Sequence, residues 1–208
     1  MPHGASLCDQ LETRKQLADL PDAEVPAGNA RLELELADRV RLDIALLLDE
    51  LGEEKLDAVG HRVVHGGPKY SKPQLITAEM VAALHKLSPF DPEHLPEEIL
   101  LTEAFHRRFP HLPQVACFDT AFHCGRPAVS ERMGLPFDLF EQGVRRYGFH
   151  GLSYEYVASV LPQFDQRAAS GKTIVCHLGN GVSACAMQAG KSMASSMGFT
   201  GVEGLPMG

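Results

Sequence analysis

Three short apolar runs in this chain stop abruptly on glycine or on a carboxylate, with helical segments between them. Residues 58–64 lead into Gly66-Gly67, Gln114–Phe118 leads into Asp119, and Lys172–Leu178 leads into Gly179-Asn180-Gly181. Runs of that length bounded by breakers read as strands. Between the first two, Met80, Val81, Leu84 and Leu87 recur at helical spacing behind Thr77, a residue suited to an N-cap. A second helix is expected over roughly 97–109, after a Pro-rich passage at 89–96 and before Pro110 and Pro113. This alternation predicts α/β topology. Farther on, a helix is expected near 153–161. Strands at 172–178 and 182–187, with a second turn at Gln188-Ala189-Gly190-Lys191, predict hairpins in a separate lobe. Upstream, residues 1–28 are polar and broken by Pro21, Pro26 and Gly28, and are expected to be a poorly ordered lead-in. Leu36, Val40, Ile44, Leu47, Leu48 and Leu51 predict an amphipathic helix that stops at Gly52.

The 208 residues, 44% of them hydrophobic, suffice for one ordinary domain or two small lobes. A formal net charge of −8, with Arg107-Arg108 and Arg145-Arg146 the only adjacent arginine pairs, argues against a nucleic-acid partner. Five cysteines form no C-x-x-C pair, and an odd count suits a reducing compartment better than a disulfide framework. Cys117 and Cys176 lie in apolar runs and are expected to be buried thiols. The start, Met-Pro-His-Gly, shows no basic stretch followed by an apolar one, so no leader is expected, and no stretch approaches the roughly 20 apolar residues that span a bilayer. A soluble, cytoplasmic protein without a membrane partner is expected.

Four segments carry more glycine, charge and histidine than packing requires. Arg62, within Gly60-His61-Arg62-Val63-Val64-His65-Gly66-Gly67, offers a planar fork to a carboxylate or phosphate beside glycines that admit a ligand to the backbone. Alone, it is as well read as a surface arginine on a strand edge. Asp119, in Phe118-Asp119-Thr120-Ala121-Phe122-His123, follows an apolar strand, where open α/β sheets place reactive groups; a turn cap is the plainer alternative. His150, in Arg145-Arg146-Tyr147-Gly148-Phe149-His150-Gly151, could donate to charge that grows on a phosphoryl group, or could be a core histidine. The turn within His177-Leu178-Gly179-Asn180-Gly181 could cradle phosphate oxygens, or be an ordinary Asn-Gly hairpin. Together they supply what phosphoryl transfer needs, which is positioning and charge stabilisation. A Walker A loop, a protein-kinase glycine loop, H-E-x-x-H and zinc-ligand spacing are all absent from the sequence.

In order and spacing, these segments with Ser196-Met197-Gly198-Phe199-Thr200 resemble the acetate kinase family, from about residue 56 to Gly208. The resemblance implies the fold shared by actin, sugar kinases and the 70-kDa heat-shock chaperones. Here that fold is incomplete, with residues 29–123 as a partial acyl-substrate lobe and 124–208 as the start of a nucleotide-binding lobe. It implies reversible phosphoryl transfer from ATP to acetate, giving ADP and acetyl phosphate, with Mg²⁺, in a homodimer when intact. By position, Arg62 matches the arginine that binds the acyl substrate, and Val64 and Phe149 the apolar residues that suit its methyl group. Asp119 matches the essential acid, His150 the histidine that stabilises the transition state, and His177, Leu178, Gly179, Asn180 and Gly181 the turn holding the nucleotide phosphates.

Departures from the family pattern matter too. Nothing in residues 1–55 resembles the family's Asn-Ala-Gly-Ser-Ser-Ser-like phosphate loop. The chain stops at Leu205-Pro206-Met207-Gly208, where the family continues with Thr-Arg, and the family's metal ligands fall outside it. Losing a transition-state cation lowers rates on the order of 10²–10³, so little or no activity is expected of the 208 residues alone. A non-catalytic remnant or interaction module is the second reading. Asp91 stands where the family has His, and Gly201 where it has a pocket Pro, a change expected to loosen the pocket toward propionate or butyrate.

Overall fold

The structure, a computed structural model, describes residues 56–206. The expected lead-in over 1–28 and the helix over 36–51 lie outside the described residues. The first part runs β1 (Val59–Val63), β2 (Gln74–Leu75), α1 (Ala78–Leu87), α2 (Leu95–Arg108) and β3 (Gln114–Phe118). β3 is the middle strand, parallel to β1 and antiparallel to β2. Thr77 caps α1 by accepting the Met80 N–H at 3.3 Å, and Met80 and Leu84 turn into the core. α2 begins two residues earlier than its periodicity suggested, because Pro96 is tolerated in a first turn, where no N–H is needed. Its acids, Glu97 and Glu98, sit at the N-terminal end and His106, Arg107 and Arg108 at the other, matching the helix dipole.

The parallel register sets Val63 opposite Phe118, and the Asp119 N–H continues the ladder to the Val63 carbonyl at 2.9 Å. Both strands therefore end on the same side, and the residues that follow them meet there. One apolar cluster packs under this edge: Val63, Val64, Tyr70, Met80, Leu84, Leu95, Ile99, Ala116 and Phe118 are joined by Tyr147, Phe149 and Met197 from later in the chain.

The second part contains α3 (Ala128–Glu131), α4 (Phe137–Glu141), α5 (Gly151–Val160), α6 (Gln166–Ser170) and an antiparallel sheet of β4 (Lys172–Leu178), β5 (Val182–Gln188) and β6 (Lys191–Ser195) in that order. Both expected hairpins form. Tyr154, Cys185 and Met187 make a smaller cluster between α5 and the sheet. The expectation that Cys176 is buried is wrong: it is exposed, and Cys117 is half-buried. Alternation along β4 turns Thr173, Val175 and His177 inward and Lys172, Ile174, Cys176 and Leu178 outward, leaving Ile174 and Leu178 73% and 78% exposed. A continuous apolar run does not reveal that one face of its strand is uncovered. Cys117, Cys124, Cys176 and Cys185 are all free thiols. No helix among the described residues is long and apolar enough to cross a membrane.

Candidate active site

Where β1 and β3 end, Arg62 and Asp119 form a two-pronged pair. The Arg62 Nε donates to Oδ1 and Oδ2 of Asp119 at 3.3 and 3.2 Å, and Nη2 donates to Oδ2 at 2.7 Å. The Asp119 side chain is 2% exposed and that of Arg62 is 52% exposed, so the fork reaches a fixed carboxylate from the open side. Burial opposes the arginine's charge. The hydrogen bond and charge of Asp119, with Glu98 and Asp91 nearby, outweigh it and raise the guanidinium pKa.

The segment after β1 is held from beneath. The Val64 N–H donates to Glu98 Oε2 at 2.9 Å, and the Gly66 N–H to Thr120 Oγ1 at 3.1 Å. Burial raises the Glu98 carboxyl to about 7; the Val64 N–H and Arg62 oppose this, and Asp119 and Asp91 reinforce it. His65 Nδ1 accepts the Gly67 N–H at 2.8 Å, and its ring packs edge-on against Tyr147 and Phe149. Burial pushes its pKa down to about 4, against the pull of Asp91. Asp91 itself is buried and takes the backbone N–H and Nδ1 of His94 at the entry to α2. Val64 and Phe149, the two residues expected to line an acyl pocket, belong to one buried cluster.

His150 precedes α5 with φ of 58°, a left-handed conformation uncommon for a residue with a side chain. The turn presses the start of α5 against Asp119, whose carbonyl accepts the Gly151 N–H at 2.9 Å. A Cβ at Gly151 would overlap that same carbonyl oxygen, so only glycine permits the approach. The His150 ring stacks on His177, with centroids 4.1 Å apart, and its Nδ1 lies 2.8 Å from Ser183 Oγ. Its Nε2 edge lies beside Gly181, where an added Cβ would come within 2.9 Å. Burial lowers the His150 pKa, and His177, Arg62 and His94 lower it further against Asp119.

His123, from the same segment as Asp119, has a supporting role. Its Nε2 donates to the Phe149 carbonyl at 2.9 Å and its Nδ1 faces Ser192 Oγ at 2.8 Å, while burial pushes its pKa to about 4.

The structure thus gathers Arg62, Asp119, Val64, Phe149 and His150, and sets His177 and Gly181 against His150. Leu178, Gly179 and Asn180 are exposed at the tip of the β4–β5 hairpin. Among the described residues, no three His, Cys, Asp or Glu side chains converge in a way that could hold a metal ion. Glu98, Ser183 and Tyr154 were not singled out by sequence reading. For Ser183, a small polar residue at an inward position of an apolar strand was the available signal.

The model of the acetokinase family matches residues 27–208. An acetate kinase of Nitrobacter hamburgensis is 51% identical over 162 residues, covering 78% of this chain and 40% of that protein. One from Rhizobium meliloti is 42% identical over 194 residues, covering 93% of this chain and 45% of the relative. Among solved structures, a propionate kinase from Francisella tularensis superposes with a TM-score of 0.74 at 38% identity, covering 82% of this chain and 44% of that one. An acetate kinase from Entamoeba histolytica gives 0.72 at 33% identity, with the same coverage. The chain therefore spans less than half the length of these proteins.

Proposed function

Because the chain belongs to the acetokinase family and has the mixed α/β, actin-like fold of that family's kinases, we propose that it carries the acyl-substrate side of an acetate kinase. The reaction is reversible transfer of the ATP γ-phosphoryl group to the carboxylate of acetate, giving acetyl phosphate and ADP. The observation that carries this reading is the Arg62–Asp119 pair at the ends of two parallel strands, with His150 beside it. The half-exposed fork exchanges the Asp119 oxygens for those of the carboxylate or the moving phosphoryl group. Asp119, freed, orients the acceptor, and His150 donates to the equatorial oxygens as charge spreads over them. Val64 and Phe149 supply the apolar wall for the methyl group. His177, Leu178, Gly179, Asn180 and Gly181 form the turn for the nucleotide phosphates, with Asn180 toward the transferred group.

The described residues do not by themselves fit the magnesium ion that such a kinase takes with its nucleotide. They bring no three His, Cys, Asp or Glu side chains together as ligands, and both Asp119 oxygens face Arg62. The assembly this reading implies is a cytoplasmic homodimer.

Calorimetric titration with acetyl phosphate tests the proposal. Arg62→Ala should weaken binding by at least about 10-fold, the scale of a lost charge-assisted hydrogen bond. A wild-type chain without affinity, or binding indifferent to Arg62→Ala, would overturn it. A hydroxamate assay with ATP and acetate reads the transfer itself.

A second reading, a propionate-directed kinase, has its own support. A Cβ at Gly201 would meet nothing within 4 Å, so there is open space where the resemblance expects proline. One of the solved relatives is itself a propionate kinase. Each buried methylene contributes about 0.8 kcal/mol, so propionate should then bind about fourfold more tightly than acetate.

A further inference from the structure

We propose that Tyr154 and Ser183 are positioning residues whose buried hydroxyls hold His150 in the tautomer that carries its hydrogen on Nε2, toward Gly181. Two distances set the chain, Tyr154 Oη to Ser183 Oγ at 2.5 Å and Ser183 Oγ to His150 Nδ1 at 2.8 Å, and Nε2 lies at the Gly181 side of the ring. Tyr154 and Ser183 are both 0% exposed, so each hydroxyl hydrogen needs an acceptor inside the protein.

The direction follows from counting donors. The Tyr154 hydroxyl is buried with Ser183 Oγ within hydrogen-bond reach, so its hydrogen goes to Ser183 Oγ. Ser183, already an acceptor, gives its hydrogen to His150 Nδ1. In the reverse order, a protonated Nδ1 would donate to Ser183, and the chain would end with a buried hydroxyl hydrogen facing no acceptor, which native interiors avoid. A neutral imidazole whose Nδ1 accepts carries its hydrogen on Nε2.

The surroundings keep that ring neutral. Burial disfavours the imidazolium, and the charged or titratable groups around it are His177 on β4, Arg62 on β1, His94 before α2 and Asp119 after β3. Of these, Asp119 alone pulls the other way. A neutral donor on Nε2 adds a hydrogen bond at the glycine turn without placing a second cation beside Arg62. The value of that donor for phosphoryl transfer rests on the kinase reading; the position of the hydrogen does not.

Nitrogen-15 spectroscopy of the histidine rings in the full chain tests it, with the His150 signals identified by their loss in His150→Gln. In the wild type, Nδ1 should resonate as the bare nitrogen and Nε2 as the protonated one. Tyr154→Phe removes one oxygen and keeps the packing. It frees Ser183 Oγ to accept from the ring, so both tautomers should appear at His150, and Ser183→Ala should do the same. The rings of His65 and His123 report an intact fold. Protonated Nδ1 in the wild type, or a tautomer ratio unmoved in both variants, would overturn the proposal. The wild-type spectrum alone locates the hydrogen if a variant does not fold. Acetyl phosphate added to the same sample keeps the two ideas apart: no binding with Nε2 protonated removes the kinase reading and leaves the relay standing.

Discussion

Single atoms decide whether this site exists. At Gly151 the added methyl of alanine would strike the Asp119 carbonyl, a backbone atom with no rotamer to escape into, and also press on Phe122. Gly151→Ala should destabilise the fold by about 1–3 kcal/mol, read in urea unfolding, and separate His150 from Asp119. Glu98 divides into charge and acceptor in the same way. Glu98→Gln keeps an oxygen for the Val64 N–H, whereas Glu98→Leu strands that donor at about 1–3 kcal/mol. Unfolding midpoints that place the two variants together would refute the acceptor role. The sequence displays Arg62, Asp119 and His150 because each sits among glycines and aromatics that packing alone does not require. It conceals Glu98, Ser183 and Tyr154. A glutamate in a first helical turn serves the helix dipole, a serine in a strand is ordinary, and a tyrosine in a helix reads as core.

The elements are the most legible level. Apolar spacing and cap chemistry place α1, α2, β1, β3 and the first two strands of the second sheet to within a residue or two, and the turn before the third. Thr77 is the clearest case, because its hydroxyl and the Met80 N–H are both local in sequence. Thr77→Ala should lower stability by about 1 kcal/mol, seen as a drop in the thermal midpoint, and Thr77→Ser should restore most of it. Where prediction slipped, the cause was not local. Cys176 faces outward because of what does and does not lie over β4, and α5 starts at Gly151 because Asp119 is there to receive its first N–H.

Across the whole molecule, stability should depend on pH through its buried titrating groups. His65 and His123 have pKa values pushed to about 4, so over about pH 6.5 to 4 the unfolded chain binds two protons that the folded chain does not. Glu98, raised to about 7, acts oppositely, since over about pH 4.5 to 7 the folded chain holds a proton that the unfolded chain has lost. The balance is one net proton in favour of unfolding. Stability should therefore fall by about 1.4 kcal/mol per pH unit through the shared window. Thermal midpoints measured from pH 6.5 to 5 should drop on acidification, more steeply in Glu98→Gln; a rise over that range would contradict the assignment. None of these shifts is readable from sequence, because each comes from burial by tertiary packing. The order of the motifs is readable, and it gives the family. One consequence of the lopsided Arg62–Asp119 pair reaches the bench. If the proposed exchange occurs, the locked carboxylate and half-solvated guanidinium form an ion exchanger with a single site, which sulfate or inorganic phosphate in the buffer should also enter. On the proposed kinase reading, apparent affinity for acyl phosphates should therefore depend on the counter-anion chosen, and added salt should weaken it by screening the exposed half of the pair.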